Sequence, residues 1–198
     1  ASVASFFVSR VDTAVDALID ERIRMGQENL KALLGKAAIA NAKTAYRDFL
    51  DTFTSERFAA LKAKGARVQL PLWASTGTKN PAYSDVLYVE PLIGSDTVNT
   101  IPPATINSFL EHGHAQATLE RNMLEAEQAL SSLTAAGISM EQVTAKLLTD
   151  GVKAFADSFS QLLAGLDKKM VALSKEHVDP GISLGKHLAD VESALADL

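Results

Sequence analysis

Two kinds of hydrophobic spacing alternate along the first half of the chain. Residues 3–8 form a largely apolar run rich in valine and phenylalanine, which is typical of a strand buried on both faces of a parallel sheet. From Val11 the apolar residues recur at steps of three and four and fall on one helical face, and the same spacing returns between Ile39 and Phe53. The pattern therefore predicts a strand followed by amphipathic helices.

Two further strands are predicted beyond these helices. A short helix over residues 55–64 ends at Gly65, and residues 67–75 then predict a strand in which Pro71 interrupts the regular pattern. A helical segment is predicted to open near Ser84, and residues 97–101 predict a short third strand. Strands that alternate with helices favour a parallel α/β sheet. Three strands do not close a barrel, so we expect further strands on the N-terminal side.

From Pro103 onward the spacing is helical throughout. Ser139 and Gln142 match a capping box, with the serine at the helix start and the glutamine three residues later. Apolar residues between Val152 and Leu173 mark one long amphipathic helix, and we expect them to be core positions for packing helices. Residues 176–198 are predicted to be a tail, a linker or the start of a following domain.

Composition excludes several classes of function. The chain has 198 residues, of which 47% are hydrophobic and 22% charged, in the ordinary range of globular proteins. A net charge of −5 argues against nucleic acid as a partner, because such proteins need a basic face. The chain has no cysteine, which excludes disulfides and thiolate chemistry and favours a cytoplasmic location. No apolar run approaches the roughly 20 residues that span a bilayer, so we expect no membrane partner.

Arg10 is the first candidate for chemistry, because it follows the carboxyl end of the first predicted strand. Parallel α/β folds and barrels place their active sites at that end of their strands. A guanidinium there suits a phosphate or a carboxylate through two parallel hydrogen bonds. The alternative is a surface salt bridge at the start of a helix.

The loop after the second predicted strand repeats this arrangement. Residues 75–80 combine hydroxyls, Gly77, Lys79 and an amide, and glycine allows the backbone to approach an anion while lysine adds positive charge. The alternatives are a polar turn around Asn80-Pro81, or Lys79 as a Schiff-base nucleophile, although its polar surroundings disfavour the depressed pKa that this needs. Lysines on the predicted helices are expected on solvated faces. His112 and His114 are expected to be exposed at a helix end and to bind no metal.

Several of these segments resemble one enzyme family. Residues 5–12, with sequence SFFVSRVD, resemble the transaldolase segment at the sixth barrel strand, where a serine and an arginine five residues later bind the substrate phosphate. Residues 71–85 are similar to the seventh-strand region of a bacterial transaldolase subgroup, and residues 96–102 to its eighth strand. The helix around residues 35–42 is also similar to that subgroup. The resemblance covers residues 1–175.

The resemblance implies the C-terminal part of a (β/α)8 TIM barrel of the class I aldolase type, with additional C-terminal helices. Such an enzyme of the pentose phosphate pathway moves a dihydroxyacetone unit from sedoheptulose 7-phosphate to glyceraldehyde 3-phosphate, without a cofactor. Its Schiff-base lysine lies on the fourth strand, outside this segment, so no catalytic residue is expected here. The implied partners are sugar phosphates and the missing N-terminal barrel portion. Some bacterial relatives carry a fused phosphoglucose isomerase domain, which residues after Pro180 could begin.

The residues that the resemblance assigns to the phosphate are Ser5, Arg10, Ser75 and Lys79, with Phe7 lining the site. Lys79 stands where many transaldolases have arginine. A second hypothesis is a phosphosugar-binding or regulatory module that kept the cations without the chemistry. A third, a purely helical interaction protein, leaves Arg10 and Lys79 at strand ends without an explanation.

Overall fold

The computed structural model describes residues 2–175 and Ser193. The chain divides into two compact units, Ala1–Thr149 and Asp150–Leu198. The predicted tail, linker or further domain over residues 176–198 lies outside the described residues except for Ser193. The regular elements are β1 (Ser2–Phe7), α1 (Val8–Arg24), α2 (Ala37–Thr54), α3 (Glu56–Lys62), β2 (Gln69–Ala74), β3 (Val98–Asn99), α4 (Pro103–His112), α5 (Met123–Ala135) and α6 (Met140–Lys175), with 3₁₀ turns at Glu28–Leu33 and Glu90–Leu92.

The sheet has three parallel strands in the order β1-β2-β3. Ser2 pairs with Gln69 and Phe7 with Ala74, while Trp73 pairs with Asn99. The predicted parallel α/β arrangement is confirmed, although β3 is shorter than the strand predicted over residues 97–101. Because all three strands run the same way, their carboxyl ends meet at one edge of the sheet.

Helices α1, α2 and α5 contribute to a core on the face of the sheet that carries Phe6 and Trp73. These two rings meet edge to face, with centroids 5.8 Å apart, and both belong to a core that includes Val15 and Ile19 of α1. The prediction that β1 is buried on both faces is wrong, since residues 2–5 are exposed. Within residues 2–175, β1 pairs only with β2, and the core lies on one side of the sheet.

Local hydrogen bonds explain several helix boundaries. The Ser55 hydroxyl caps α3 by accepting from Phe58 N, and Gly65 ends that region with φ of +95°. Ser139 Oγ accepts from Gln142 N at 3.2 Å, which confirms the predicted serine cap of α6.

The helix predicted near Ser84 is wrong. Residues 81–89 form successive turns, such as Leu87 N donating to Ser84 O at 3.1 Å, and the 3₁₀ turn Glu90–Leu92 follows. Two tyrosine side chains of this segment bond to α1 instead, which holds the backbone in an irregular path.

The long helix α6 confirms the predicted amphipathic pattern but not the predicted burial. Phe155 and Phe159 are 65% and 61% exposed, and the other apolar positions from Val152 to Leu173 are exposed as well. In the described part of the second unit, residues 150–175, this helix is the only element. None of the helices that the structure describes is both long and apolar enough to cross a membrane.

Candidate functional site

The first strand passes into the first helix without an intervening loop. β1 ends at Phe7 and α1 begins at Val8, so Arg10 lies in the first turn of α1. The guanidinium carbon of Arg10 lies 4.2 Å from the centre of the Phe7 ring, a cation–π contact that orients the side chain at the strand end. No side chain caps the amides of this helix start, where the helix dipole favours an anion.

The second strand ends beside this junction. Ser75 follows β2 and adopts φ of +57°, in the left-handed region that few residues other than glycine occupy. Its carbonyl accepts from Ser9 N at 3.1 Å, and its hydroxyl lies 2.9 Å from the Ser9 hydroxyl. Through these two hydrogen bonds, Ser75 joins the end of β2 to the start of α1.

The third strand is connected to the same edge by Thr76. This residue is fully buried, and its hydroxyl lies 2.9 Å from Asn99 Oδ1 at the end of β3. Hydrogen bonds between side chains therefore link all three strand ends. The arrangement places hydroxyl groups, amides and one guanidinium along the carboxyl edge of the sheet.

The predicted site residues take different positions relative to this edge. The structure brings Phe7, Arg10 and Ser75 to the edge itself. Ser5 lies on the same face of β1 as Phe7, because side chains alternate along a strand, and it is exposed. Lys79 is exposed on the loop, four residues beyond Ser75.

Sequence reasoning missed two carboxylates on α1, the buried Asp12 and the half-buried Asp16. Asp12 Oδ2 accepts from the Tyr88 hydroxyl at 2.9 Å, and Asp16 Oδ2 accepts from the Tyr83 hydroxyl at 2.7 Å. Burial raises the pKa of Asp12 to about 6, and burial also raises the pKa of Asp16. Their spacing of four places both on one helical face, but surface carboxylates share this spacing, so it does not single them out.

Lys43 contradicts the prediction that lysines on helices lie on solvated faces. Its side chain is buried, and burial lowers its pKa. Its ammonium donates to the carbonyls of Thr118, Leu119 and Arg121, at 2.8, 3.0 and 2.7 Å. Three carbonyls match the three donors of an ammonium group, so this lysine fastens the turn before α5 to α2.

His112 and His114 bond to separate carboxylates. As predicted, His112 is an exposed residue at the end of α4; its Nε2 lies 2.9 Å from Asp85 Oδ1. His114 is also exposed, with Nδ1 3.3 Å from Glu90 Oε1. Among the residues that the structure describes, no three His, Cys, Asp or Glu side chains are close enough to share a metal ion.

Fold and site together define a class: an α/β chain with parallel strands whose polar groups collect at the carboxyl edge of the sheet. Residues 1–166 match the family model described as transaldolase/fructose-6-phosphate aldolase. The chain belongs to this family.

Curated relatives agree with this membership. The chain is 52% identical over 165 residues to a transaldolase of Neisseria gonorrhoeae, covering 83% of this chain and 44% of the relative. It is 45% identical over 181 residues to a transaldolase of Trichodesmium erythraeum, covering 88% of this chain and 48% of that protein. It is 45% identical over 175 residues to a transaldolase of Mycolicibacterium smegmatis, covering 88% of this chain and 46% of that relative. The chain spans a little under half the length of these relatives.

Proposed function

We propose that the chain is the C-terminal part of a (β/α)8 barrel transaldolase and supplies the phosphate-binding side of its active site. Family membership supports the class, and the parallel sheet agrees with part of such a barrel. Residues 1–175 would form the barrel portion, with residues 176–198 as a tail, linker or start of another domain. The remaining strands would come from the N-terminal portion of the enzyme.

In this proposal the edge of the sheet binds the phosphate of the sugar. Arg10 contributes its guanidinium through a bidentate contact, and the hydroxyls of Ser5 and Ser75 donate hydrogen bonds. Lys79 adds a second positive charge from the loop after β2. The Phe7 ring contacts the Arg10 guanidinium and lines the site. These roles are those that the family resemblance assigned.

The chemistry itself would take place on residues outside this chain. A lysine on an earlier strand would form a Schiff base with sedoheptulose 7-phosphate, and the dihydroxyacetone unit would pass to glyceraldehyde 3-phosphate. The role of this chain is to bind and orient the sugar phosphate. Binding energy at the phosphate then places the reacting carbonyl correctly. No cofactor is required by this chemistry.

One observation carries the proposal. Ser75 and Arg10, which follow different strands, lie at one edge because Ser75 bonds directly to Ser9. The carboxyl edge of the strands is where barrel enzymes bind their substrates.

The test restores the missing strands. The chain is combined with the N-terminal portion of the 52% identical Neisseria gonorrhoeae transaldolase, and transaldolase activity is measured with and without Arg10→Ala. We expect the substitution to raise KM for the phosphorylated sugar by roughly ten- to a hundredfold, as for loss of a charged hydrogen-bonded contact. Arg57→Ala, at an exposed position on α3, serves as the matched control and leaves KM unchanged.

Two results would contradict the proposal. An active assembly whose KM is insensitive to Arg10→Ala removes Arg10 from the phosphate site. An assembly that binds fructose 6-phosphate without turnover favours a phosphosugar-binding or regulatory module instead.

A further inference from the structure

Asp12 joins three segments of the first unit. Its Oδ1 accepts from Ala38 N at 2.7 Å at the start of α2, and its Oδ2 accepts from the Tyr88 hydroxyl at 2.9 Å. Both Asp12 and Tyr88 are buried. One carboxylate therefore ties α1, the start of α2 and the segment after β2 together.

Asp16 repeats this arrangement one helical turn later. Its Oδ1 accepts from Gly35 N at 3.0 Å, and its Oδ2 accepts from the Tyr83 hydroxyl at 2.7 Å. Gly35 has φ of +70°, and a Cβ there would lie 3.0 Å from the Tyr83 ring, so glycine allows the ring to rest against the backbone. We call these four side chains, Asp12, Asp16, Tyr83 and Tyr88, the tyrosine–carboxylate ladder.

The ladder fastens the far end of the loop that begins at Ser75. The near end is already fastened to α1 through the two bonds between Ser75 and Ser9. Lys79 lies between the two attachment points, and Arg10 lies between Ser9 and Asp12 on the helix. One helix thus carries Arg10 and both anchors of the loop that carries Lys79.

We propose that the tyrosine–carboxylate ladder positions the phosphate-binding loop, holding Lys79 in a fixed relation to Arg10 so that the two cations act on one phosphate group. The inference rests on the proposed function, because it assigns positioning residues to the same site. None of the four side chains is required to touch the substrate. Their effect is to reduce the conformational entropy that the loop loses when the phosphate binds.

The protonation states suit this role. Burial raises the pKa of both tyrosines, and their neighbouring carboxylates raise it further, so both hydroxyls stay protonated and donate. A hydrogen bond from a hydroxyl to a carboxylate is stronger than one between neutral groups, and in a buried site it is stronger still.

The test uses the 198-residue chain assembled with the same N-terminal portion of the Neisseria gonorrhoeae transaldolase, with two measurements. Amide hydrogen exchange reports the opening of residues 76–89, and titration with fructose 6-phosphate, with fructose for comparison, reports affinity for the phosphate. Tyr83→Phe is the main variant because Tyr83 is only half-buried, and removing its hydroxyl leaves the core intact. Tyr88→Phe removes the hydroxyl that donates to Asp12. Tyr46→Phe is the matched control: the buried Tyr46 donates to Ser95 O at 3.2 Å, away from the ladder.

We expect each ladder variant to speed exchange in residues 76–89 and to weaken fructose 6-phosphate binding by about fivefold, as for loss of one hydrogen bond. Tyr46→Phe should change neither. If the wild-type chain binds and Tyr83→Phe binds equally well, or exchange in the loop is unchanged, the ladder is not a positioning device. If the wild-type chain binds fructose 6-phosphate no better than fructose, the proposed phosphate site fails and this inference fails with it.

Discussion

At the scale of single residues, Asp12 shows how burial and hydrogen bonding compete. Removal from water disfavours its ionised form, while bonds from Ala38 N and Tyr88 favour it. Burial dominates, and the pKa rises from 3.8 to about 6. A carboxyl whose pKa is higher in the folded state contributes stability below its unfolded pKa and loses that contribution as the pH rises through about 6.

This sign gives a prediction for Asp12→Asn, which keeps the size of the side chain and removes its charge. Between pH 4 and pH 7 the free energy of unfolding of the wild type should fall by about 2–3 kcal/mol relative to the variant. Urea denaturation at several pH values measures the difference. Asp20→Asn, at an exposed position on the same helix, is the control and should follow the wild type. Parallel pH dependences of wild type and Asp12→Asn would show that burial does not govern this group.

The sequence predicted some of these residues and not others, for a physical reason. Arg10 and Ser75 follow strands, and the rule that parallel strands end at one edge is enough to place them there. The partners of Asp12 and Asp16 lie 76 and 67 positions away, and a carboxylate on a helix is usually solvated. Nothing in local periodicity distinguishes such a carboxylate from a surface one.

At the scale of elements, periodicity predicted whether a segment is a strand or a helix better than it predicted the burial of that segment. Apolar runs predicted β1 and β2, and spacing at steps of three and four predicted α2, all with small errors in their bounds. The same spacing predicted the long helix from Val152, whereas α6 begins at Met140. The failure at residues 81–89 is different, because the backbone there is fixed by tertiary bonds from its tyrosines to α1. The prediction that the apolar face of α6 is buried is also wrong, since periodicity identifies the apolar face of a helix but not what covers it.

Lys43 gives a prediction at this scale, because it joins two elements. Lys43→Met keeps the aliphatic length but leaves the carbonyls before α5 without their ammonium donor. We expect the free energy of unfolding to fall by about 2–3 kcal/mol, the cost of buried polar groups that lose a charged partner. Lys36→Met, at the exposed start of the same helix, should change it by less than about 0.5 kcal/mol. Equal effects of the two substitutions in urea denaturation would contradict an anchoring role.

At the scale of the whole molecule, the chain exposes surfaces that globular proteins usually cover. β1 is exposed over residues 2–5, and α6 presents a row of apolar side chains from Val152 to Leu173. The relatives are about twice as long as the matched region, so the same residues have further chain available to cover them. Exposed apolar surface of this kind promotes association in water.

The final prediction follows from that surface. At roughly 100 µM the isolated chain should self-associate, with an average mass by light scattering that rises with concentration. Replacing Phe155 and Phe159 together with glutamate places two charges in the apolar row and should shift the distribution toward the monomer. Ser158→Glu with Gln161→Glu adds the same charge at exposed polar positions of the same helix and should leave association unchanged. A wild type that stays monomeric at all concentrations would contradict the prediction. If both double variants dissolve the assemblies equally, net charge and not the apolar row controls association, because only the first pair removes apolar side chains.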